Sequence, residues 1–557
     1  MIKRRTEVLI VGGGGAGLMA AVRARREGRR AALVTKGLLM RSGSTVMAPG
    51  AFAAVGPWSQ PGDSAARHEL DTLIGGAWLN NQRIVRRFTG EMRSLIPELE
   101  GFGALFERGS DPSRPALKRE GGHSFARAVY MENRIGRELM RALYGEAVRL
   151  GVEFYERVFI DRLLLNDSGV CGAAGRRIDA PETMAFESGS VILATGGAAM
   201  TYRLNDNSTD STGDGMALAL RAGASLMDME FVQAFPIGFL APPCVEGSVA
   251  GFLPLARLYN NLGERFMSRY DPRLEQATRD KISRAIATEV RQGRGSPLGG
   301  VYCVFEDAEP GYIEENLPDF ASTYKMCGID PLRDRIEVCP TCHFFMGGVK
   351  VDDDWQSDIP GLYAVGEAAA GAHGANRVGQ NALAEMLASA SIAAGHASQR
   401  NALVSGINRI LEDDGGEASG AAMLSVPRLR LELQALMQQN AFVVRSGASL
   451  RLALEGIERL RSMAGAGRAV GKERRHGRTD IEALENDNML LVAQCVVSSA
   501  LGRTESRGAH FRTDFPEADD ANWLKNTVVR RRGENLCLSY EPVEFCYHSP
   551  REDGGAQ

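Results

Sequence analysis

Glu7-Val8-Leu9-Ile10-Val11 runs directly into Gly12-Gly13-Gly14-Gly15-Ala16-Gly17, and a helical run over residues 18–26 follows. The apolar stretch before the glycines reads as a buried strand. Gly12, Gly14 and Gly17 fill the G-x-G-x-x-G pattern, in which the first glycine permits the tight turn. The second lets the backbone approach a pyrophosphate, and the third lets helix and strand pack closely, with phosphate at the helix N-terminus. A merely structural glycine turn does not require strand, loop and helix in this order, nor the second apolar strand at residues 31–35. The pattern therefore predicts a dinucleotide site. The acid that would hold an NAD ribose after the second strand is missing, since Thr35-Lys36 stands there, and this leaves FAD.

Working outward, the chain has 557 residues, enough for two to four domains. Its 44% hydrophobic and 24% charged residues are those of a globular protein rather than a disordered one. With 65 basic against 69 acidic residues the net charge is -4, which disfavours a nucleic-acid binder. The 64 glycines follow no collagen period and form no linker, so they belong in turns and close approaches. Nine cysteines, an odd number scattered along the chain, indicate a reducing, cytoplasmic setting rather than a disulfide framework. Arg4-Arg5 precedes a strand and a glycine loop, not a signal-peptide apolar region. The most apolar stretch, residues 231–256, is broken by Pro236, Pro242, Pro243, Pro254 and Glu246, so no membrane span is expected.

Further motifs occur in order. They are Ser42-Gly43-Ser44-Thr45, then Asp63-Ser64 with His68, Asp71-Thr72 and Gly75, then Gly121-Gly122-His123-Ser124 and Ala194-Thr195-Gly196-Gly197. Thr212-Gly213-Asp214-Gly215, Glu230-Phe231-Val232-Gln233, Gly263-Glu264-Arg265-Phe266-Met267 and Arg279-Asp280-Lys281-Ile282-Ser283-Arg284 come next. His343-Phe344-Phe345-Met346-Gly347-Gly348, Gly361-Leu362-Tyr363-Ala364-Val365-Gly366-Glu367, His373-Gly374-Ala375-Asn376-Arg377 and Glu505-Ser506-Arg507-Gly508-Ala509-His510 complete the series. In this series the chain resembles the flavoprotein subunits of succinate dehydrogenase and fumarate reductase, with L-aspartate oxidase in the same family. The resemblance implies an α/β fold: a discontinuous Rossmann-like FAD-binding domain at 1–235 and 338–400, an inserted α+β capping domain at 236–337, a C-terminal helical domain at 401–510 and a tail at 511–557 that is irregular or β-rich. Helical spacing of Leu429, Leu433, Leu436 and Met437, and of Leu450, Leu454, Ile457 and Leu460, supports the helical domain, with Asp413-Asp414-Gly415-Gly416 as a break before it.

The same resemblance assigns roles. Arg279 takes the place of the proton-transferring arginine, with Glu246 as the relay carboxylate. An arginine is an unusual acid, because its free pKa exceeds about 12, and it needs desolvation beside other cations to serve; an ordinary ion pair is the bland alternative. His343 and Arg377 match the carboxylate-binding pair, a planar guanidinium fork plus an imidazole, where a lone core histidine is the alternative. The cofactor cradle is expected to use Gly12, Gly14, Gly17, Lys36, Ser42, Ser44, Thr45, Gly50, Ala194, Thr195, Gly196, Asp214, Glu367, Asn381 and Leu383, with Glu367 on the adenosine ribose. No metal is expected. Cys339-Pro340-Thr341-Cys342-His343 has the spacing of a c-type haem attachment site and also of a redox or metal-binding dithiol; plain buried thiols are the default.

Three departures from the family pattern bear on chemistry. No histidine lies between Met1 and Gln60, and the flavin-linking segment is Ser42-Gly43-Ser44-Thr45, so FAD is expected to be bound noncovalently. The clamp for a second carboxylate is replaced: Phe235 stands for a histidine and Val245 for a threonine. The relay arginine position is Val249, so either Arg257 substitutes or the proton route differs. A buried unpaired carboxylate costs several kcal/mol, so the substrate is expected to carry one carboxylate and a neutral or apolar far end. The activity expected is hydride exchange between flavin N5 and the C–C bond beside that carboxylate. The alternatives are an L-aspartate-oxidase-like amino-acid oxidase and an electron-transfer flavoprotein docked on an iron–sulfur partner. The chain shows no iron–sulfur cysteine run of its own, so electrons pass through a partner, a soluble carrier or oxygen.

Overall fold

A computed structural model describes the chain except residues 133, 250–254, 310, 317, 331, 401–408, 411–423, 471–476 and 551–557. The strand read from the N-terminal motif is Val8–Val11, buried throughout, and it is the centre of a five-stranded sheet. Its neighbours are Ala31–Val34 and Ser190–Leu193, flanked by Glu153–Tyr155 and Leu362–Ala364, and every pairing is parallel. Strands buried on both faces read as continuous apolar runs, which is why this one was legible. The helix Gly15–Arg26 packs against the helix Asn381–Gln399, whose alanines allow a close approach. A second sheet, largely antiparallel, carries Val158–Asn166, Gly169–Arg177 and Thr183–Glu187, with Ile2–Arg5 added in parallel to its edge.

The capping region is built on an antiparallel sheet of Val232–Phe239, Ile336–Phe345, Val301–Val304 and Arg257–Tyr259. Its separate core holds Phe235, Ile237, Phe239, Phe266, Ile282, Ile286 and Val338. The helix Arg279–Glu289 lies on this sheet, against both long strands. The two long strands pair from Val232↔Phe345 to Phe239↔Val338, so boundaries at 235/236 and 337/338 cut through a continuous ladder rather than a linker.

Three helices follow, Val426–Asn440, Gly447–Val470 and Arg478–Gly502. The apolar spacing read from the sequence marks their buried face: Leu429, Leu433, Met437, Leu450, Ile457 and Leu460 are buried. The Asp413–Gly416 break lies outside the described residues. The tail is a hairpin, Lys525–Arg532 with Asn535–Pro542, which joins Leu226–Met227 and Gly348–Val349 in a four-stranded sheet. It is therefore part of the FAD-binding body and not an appendage. Fully buried Arg503 pins it there, bonded to Glu230 at 2.7 Å and Glu505 at 2.8 Å. Among the described residues no helix is long and apolar enough to cross a membrane.

Candidate active site

A cavity of about 990 Å³ opens between the parallel sheet and the capping sheet. At one end it is lined by Thr35 and Lys36 beyond the second Rossmann strand, in the middle by Gly12–Ala16, and at the other end by Phe235, Arg279, His343 and Arg377. Each motif glycine has a separate reason. Gly12 has φ +122°, and a Cβ there would meet the Ala194 carbonyl oxygen at 2.1 Å. A Cβ on Gly17 would meet the Gly12 carbonyl oxygen at 1.9 Å. At Gly14 a Cβ would make only ordinary contact, with Thr45 Oγ1 at 3.5 Å, so the protein's own packing does not demand a glycine there. Gly14 caps the helix Gly15–Arg26 without a side-chain bond, leaving amide donors for a pyrophosphate. A helix N-terminus whose cap, Gly14, brings no side chain, lying against the cavity, and the buried, unpartnered Thr195 Oγ1 together fit FAD.

Of the expected cradle, Gly12, Gly14, Lys36, Ser42, Ser44, Thr45, Gly50, Ala194, Thr195, Gly196, Asp214, Glu367 and Leu383 line the cavity. Several do so with committed side chains. Lys36 Nζ donates to Thr212 Oγ1 and Asp214 Oδ2, each at 2.7 Å, and to Glu485 Oε1 at 2.6 Å. The ammonium thereby ties the C-terminal helices to the FAD-binding body, and its three donors are used. Ser44 Oγ donates to Asn207 Oδ1 at 2.8 Å, and Thr45 Oγ1 accepts from the Gly15 amide at 3.2 Å.

Several expectations are corrected. Gly17 packs against Gly12 and does not reach the cavity. Asn381 is buried behind the wall, its Oδ1 2.8 Å from His68 Nε2 and its Nδ2 donating to Thr72 Oγ1 at 2.9 Å. Glu246 faces outward and pairs with Arg203 at 3.4 Å, so it is no relay carboxylate. Val245 also lies off the cavity, which is lined instead by Ser248 and Val249, further along the same loop. Val245 closes the turn Pro243–Val245, in the loop that follows the strand Val232–Phe239. A hydroxyl therefore does face the cavity; Ser248 Oγ donates to the Val245 carbonyl at 2.6 Å. Arg257, the substitute relay, is ion-paired with Asp307 away from the cavity. Glu367 sits beside the Arg377 end, accepting from the Phe345 amide at 2.9 Å, rather than near Thr35–Lys36 where a Rossmann fold puts the adenosine ribose. Burial pushes its carboxyl up to about 7.

The opposite end gathers positive charge. His343 Nδ1 lies 2.6 Å from Asp206 Oδ2, so the carboxylate accepts from the Nδ1–H and leaves Nε2 for a ligand. Burial holds the imidazole below its usual pKa, against the pull of Asp206. Arg377 is buried, its Nε has no hydrogen-bond partner, and its guanidinium lies 4.7 Å over the Phe344 ring. Burial and then the neighbouring Arg279 bring its pKa down to about 9. Arg279, the first residue of its helix, lies 4.8 Å over the Phe235 ring. Desolvation lowers its pKa too, and Glu120 and Asp206 only partly offset this. Among the described residues neither arginine makes an ion pair, so both guanidiniums are chemically able to take an anion.

Sequence reasoning missed Asp206, Asn207, Glu120, Ser248 and Gln380, all of which line the cavity. Asp206 and Asn207 fall in an unpatterned loop with no periodic signal. Gln380 carries φ +64°, an uncommon left-handed backbone that marks the turn before the helix Asn381–Gln399. The Cys339–Cys342 pair resolves as plain thiols. Both are buried on the strand Ile336–Phe345, in different apolar clusters on opposite faces, which excludes a dithiol and a shared haem. Burial pushes the Cys339 thiol up to about 12.

Comparison with known proteins agrees with this geometry. The family model for the FAD binding domain matches residues 7–383, and that for the fumarate reductase flavoprotein C-terminus matches residues 430–554. The chain is 38% identical over 540 residues to a fumarate reductase (CoM/CoB) subunit of Methanothermobacter marburgensis, covering 95% of this chain and 97% of that one. It is 34% identical over 588 residues to the fumarate reductase flavoprotein subunit of Mycobacterium tuberculosis, covering 98% of each. The flavoprotein of E. coli quinol fumarate reductase superposes with a TM-score of 0.88 at 29% identity, covering 99% of each chain.

One outcome follows for the cofactor. FAD should pass into the supernatant when the protein is precipitated with acid, as expected without a histidine near Ser42–Thr45. Flavin absorbance retained in the washed precipitate would mean a covalent bond.

Proposed function

The chain belongs to the succinate dehydrogenase and fumarate reductase flavoprotein family, an FAD-dependent oxidoreductase family, and on that premise we propose that it reduces or forms the C–C double bond beside a carboxylate. The observation that carries this reading is the pair of buried arginines without ion pairs among the described residues, Arg279 and Arg377, beside His343 at one end of the cofactor cavity. FAD, when bound, exchanges a hydride with one carbon of the substrate bond. Arg377 and His343 Nε2 hold the carboxylate, orienting the bond and withdrawing charge from it. Arg279 gives a proton to the neighbouring carbon in the reducing direction and takes it back in the oxidising one. Its lowered basicity, set by burial, brings an otherwise unsuitable acid toward that task. Phe235 backs Arg279 and excludes water from it. Electrons reach the site from a partner, for which an iron–sulfur protein is the natural candidate, given that the relatives are themselves subunits of larger enzymes.

For the substrate we take one carboxylate and a neutral or apolar far end, because Phe235 and Val249 give that wall no charge. A second reading, fumarate or succinate itself, is favoured by the Ser248 hydroxyl on the same wall and by the names of the relatives. Steady-state assays with reduced viologen separate them. On the first reading, a half-amide of fumarate is turned over better than fumarate, and Phe235→His raises activity on fumarate, a charge-assisted bond being worth about 1.5–3 kcal/mol. A micromolar KM for fumarate in the unaltered protein decides for the second.

A further inference from the structure

Of nine free cysteines, Cys171, Cys303, Cys339, Cys342 and Cys495 are buried, whereas Cys244 and Cys327 are both exposed and their sulfurs lie 3.8 Å apart. They come from distant parts of the capping region. Cys244 is in the turn Pro243–Val245, and Cys327 directly follows the helix Pro318–Met326. The two segments already touch: the Tyr324 hydroxyl donates to the Ala241 carbonyl at 3.3 Å, and the Tyr324 ring meets Phe239 edge-on at 5.1 Å. The turn is also coupled to the cavity. The Gly247 amide donates to the Phe239 carbonyl at 2.8 Å and the Ser248 amide to the Val245 carbonyl at 2.9 Å, so Cys244 sits on the same tight loop as the cavity residues Ser248 and Val249.

We propose that Cys244 and Cys327 form a reversible disulfide site that pins the cavity-lining loop to the helix Pro318–Met326. The oxidant is a low-molecular-weight disulfide. One cysteine thiolate attacks it, forming a mixed disulfide and releasing one thiol; the second cysteine displaces the other thiol and closes the protein S–S bond. Two protein thiols are thereby oxidised to one disulfide while the small disulfide is reduced to two thiols, and excess dithiol reverses the exchange. The exposure and mutual proximity of the pair distinguish it from the buried thiols, which such a reagent cannot reach. Pinning fixes the loop that carries Ser248 and Val249 in the cavity wall, so oxidation changes access to the cavity without touching Arg279, His343 or Arg377.

The test uses the FAD-loaded full chain incubated with oxidised glutathione. Expected are the loss of two titratable thiols, a linked peptide pair containing Cys244 and Cys327 by mass spectrometry, and severalfold slower bleaching of the flavin by dithionite. Dithiothreitol should restore all three, and Cys244→Ser or Cys327→Ser should abolish them, while Cys546→Ser leaves them unchanged. Separate glutathione adducts without the linked peptide overturn the disulfide. A linked peptide with unchanged bleaching overturns the pinning. The pinning rests on the cavity reading above, but neither readout uses substrate turnover, so a failed proposed function and a failed disulfide site are told apart.

Discussion

Arg279→Ala is expected to lower turnover at least about a hundredfold, the usual scale for a positioned acid or base, with FAD content unchanged. The side chain makes no ion pair among the described residues and stacks on the Phe235 ring, so its removal breaks no ion pair. Asp280, the next residue, is already paired with Arg284 at 2.7 Å and does not depend on it. The helix begins after Thr278 and its packing on the capping sheet is carried by Ile282 and Ile286, which remain. A folding defect is therefore not expected, and a thermal melt of the variant checks that. The discriminating readout is the split between steps: dithionite reduction of the flavin stays normal while its reoxidation by substrate slows. Near-normal reoxidation would assign the proton to another group, and the proton-transfer role of Arg279 would be lost.

Arg377→Gln should act on binding. Two charge-assisted bonds from a guanidinium to a carboxylate, at about 1.5–3 kcal/mol each, make a loss of about a hundredfold or more in carboxylate affinity the expected result. The pH dependence gives an independent check. Burial and Arg279 set the Arg377 pKa to about 9, so the cation that binds carboxylate is present below that value and is lost as pH rises through it. In the unaltered protein KM should climb on the alkaline side, later when ligand is bound because a carboxylate stabilises the cation. In Arg377→Gln the climb should be absent and KM high at every pH. An unchanged alkaline limb would place the titration elsewhere, with Arg279 the next group to examine.

These two arginines show where local reading ends. The Gly12, Gly14 and Gly17 loop was legible because its constraints are local: a positive φ, a Cβ that would strike a carbonyl, and an amide-rich helix start are set by neighbours in the chain and by one parallel strand. The helical spacing of Leu429 to Met437 and Leu450 to Leu460 was legible for the same reason, since a buried helix face repeats along the sequence. The resemblance to a known family then supplied Arg279, His343 and Arg377, which spacing alone would have left as an ion pair and a core histidine.

What the sequence by itself determined, then, is the dinucleotide-binding motif with its strand and helix, the buried faces of the C-terminal helices, and the absence of a histidine from residues 1–60. Tertiary structure decided which of the site residues meet. Arg279 reaches Arg377 from the capping helix, and both close on His343 only because the strands Val232–Phe239 and Ile336–Phe345 run paired from one domain into the other. The loop after the strand Val232–Phe239 shows the limit most clearly. Motif spacing put Val245 and Glu246 in the site, yet the turn at Pro243–Val245 rotates them out and brings Ser248 and Val249 in. A tight turn changes side-chain direction with each residue, so an alignment shifted by a few positions exchanges solvent for cavity. Asn381 failed likewise: it begins its helix facing His68 and Thr72, while Gln380 and Leu383 take the cavity side. Direction around a turn or a helix start depends on what packs behind it, and that partner, here His68 from a helix hundreds of residues away, is not written in the local sequence.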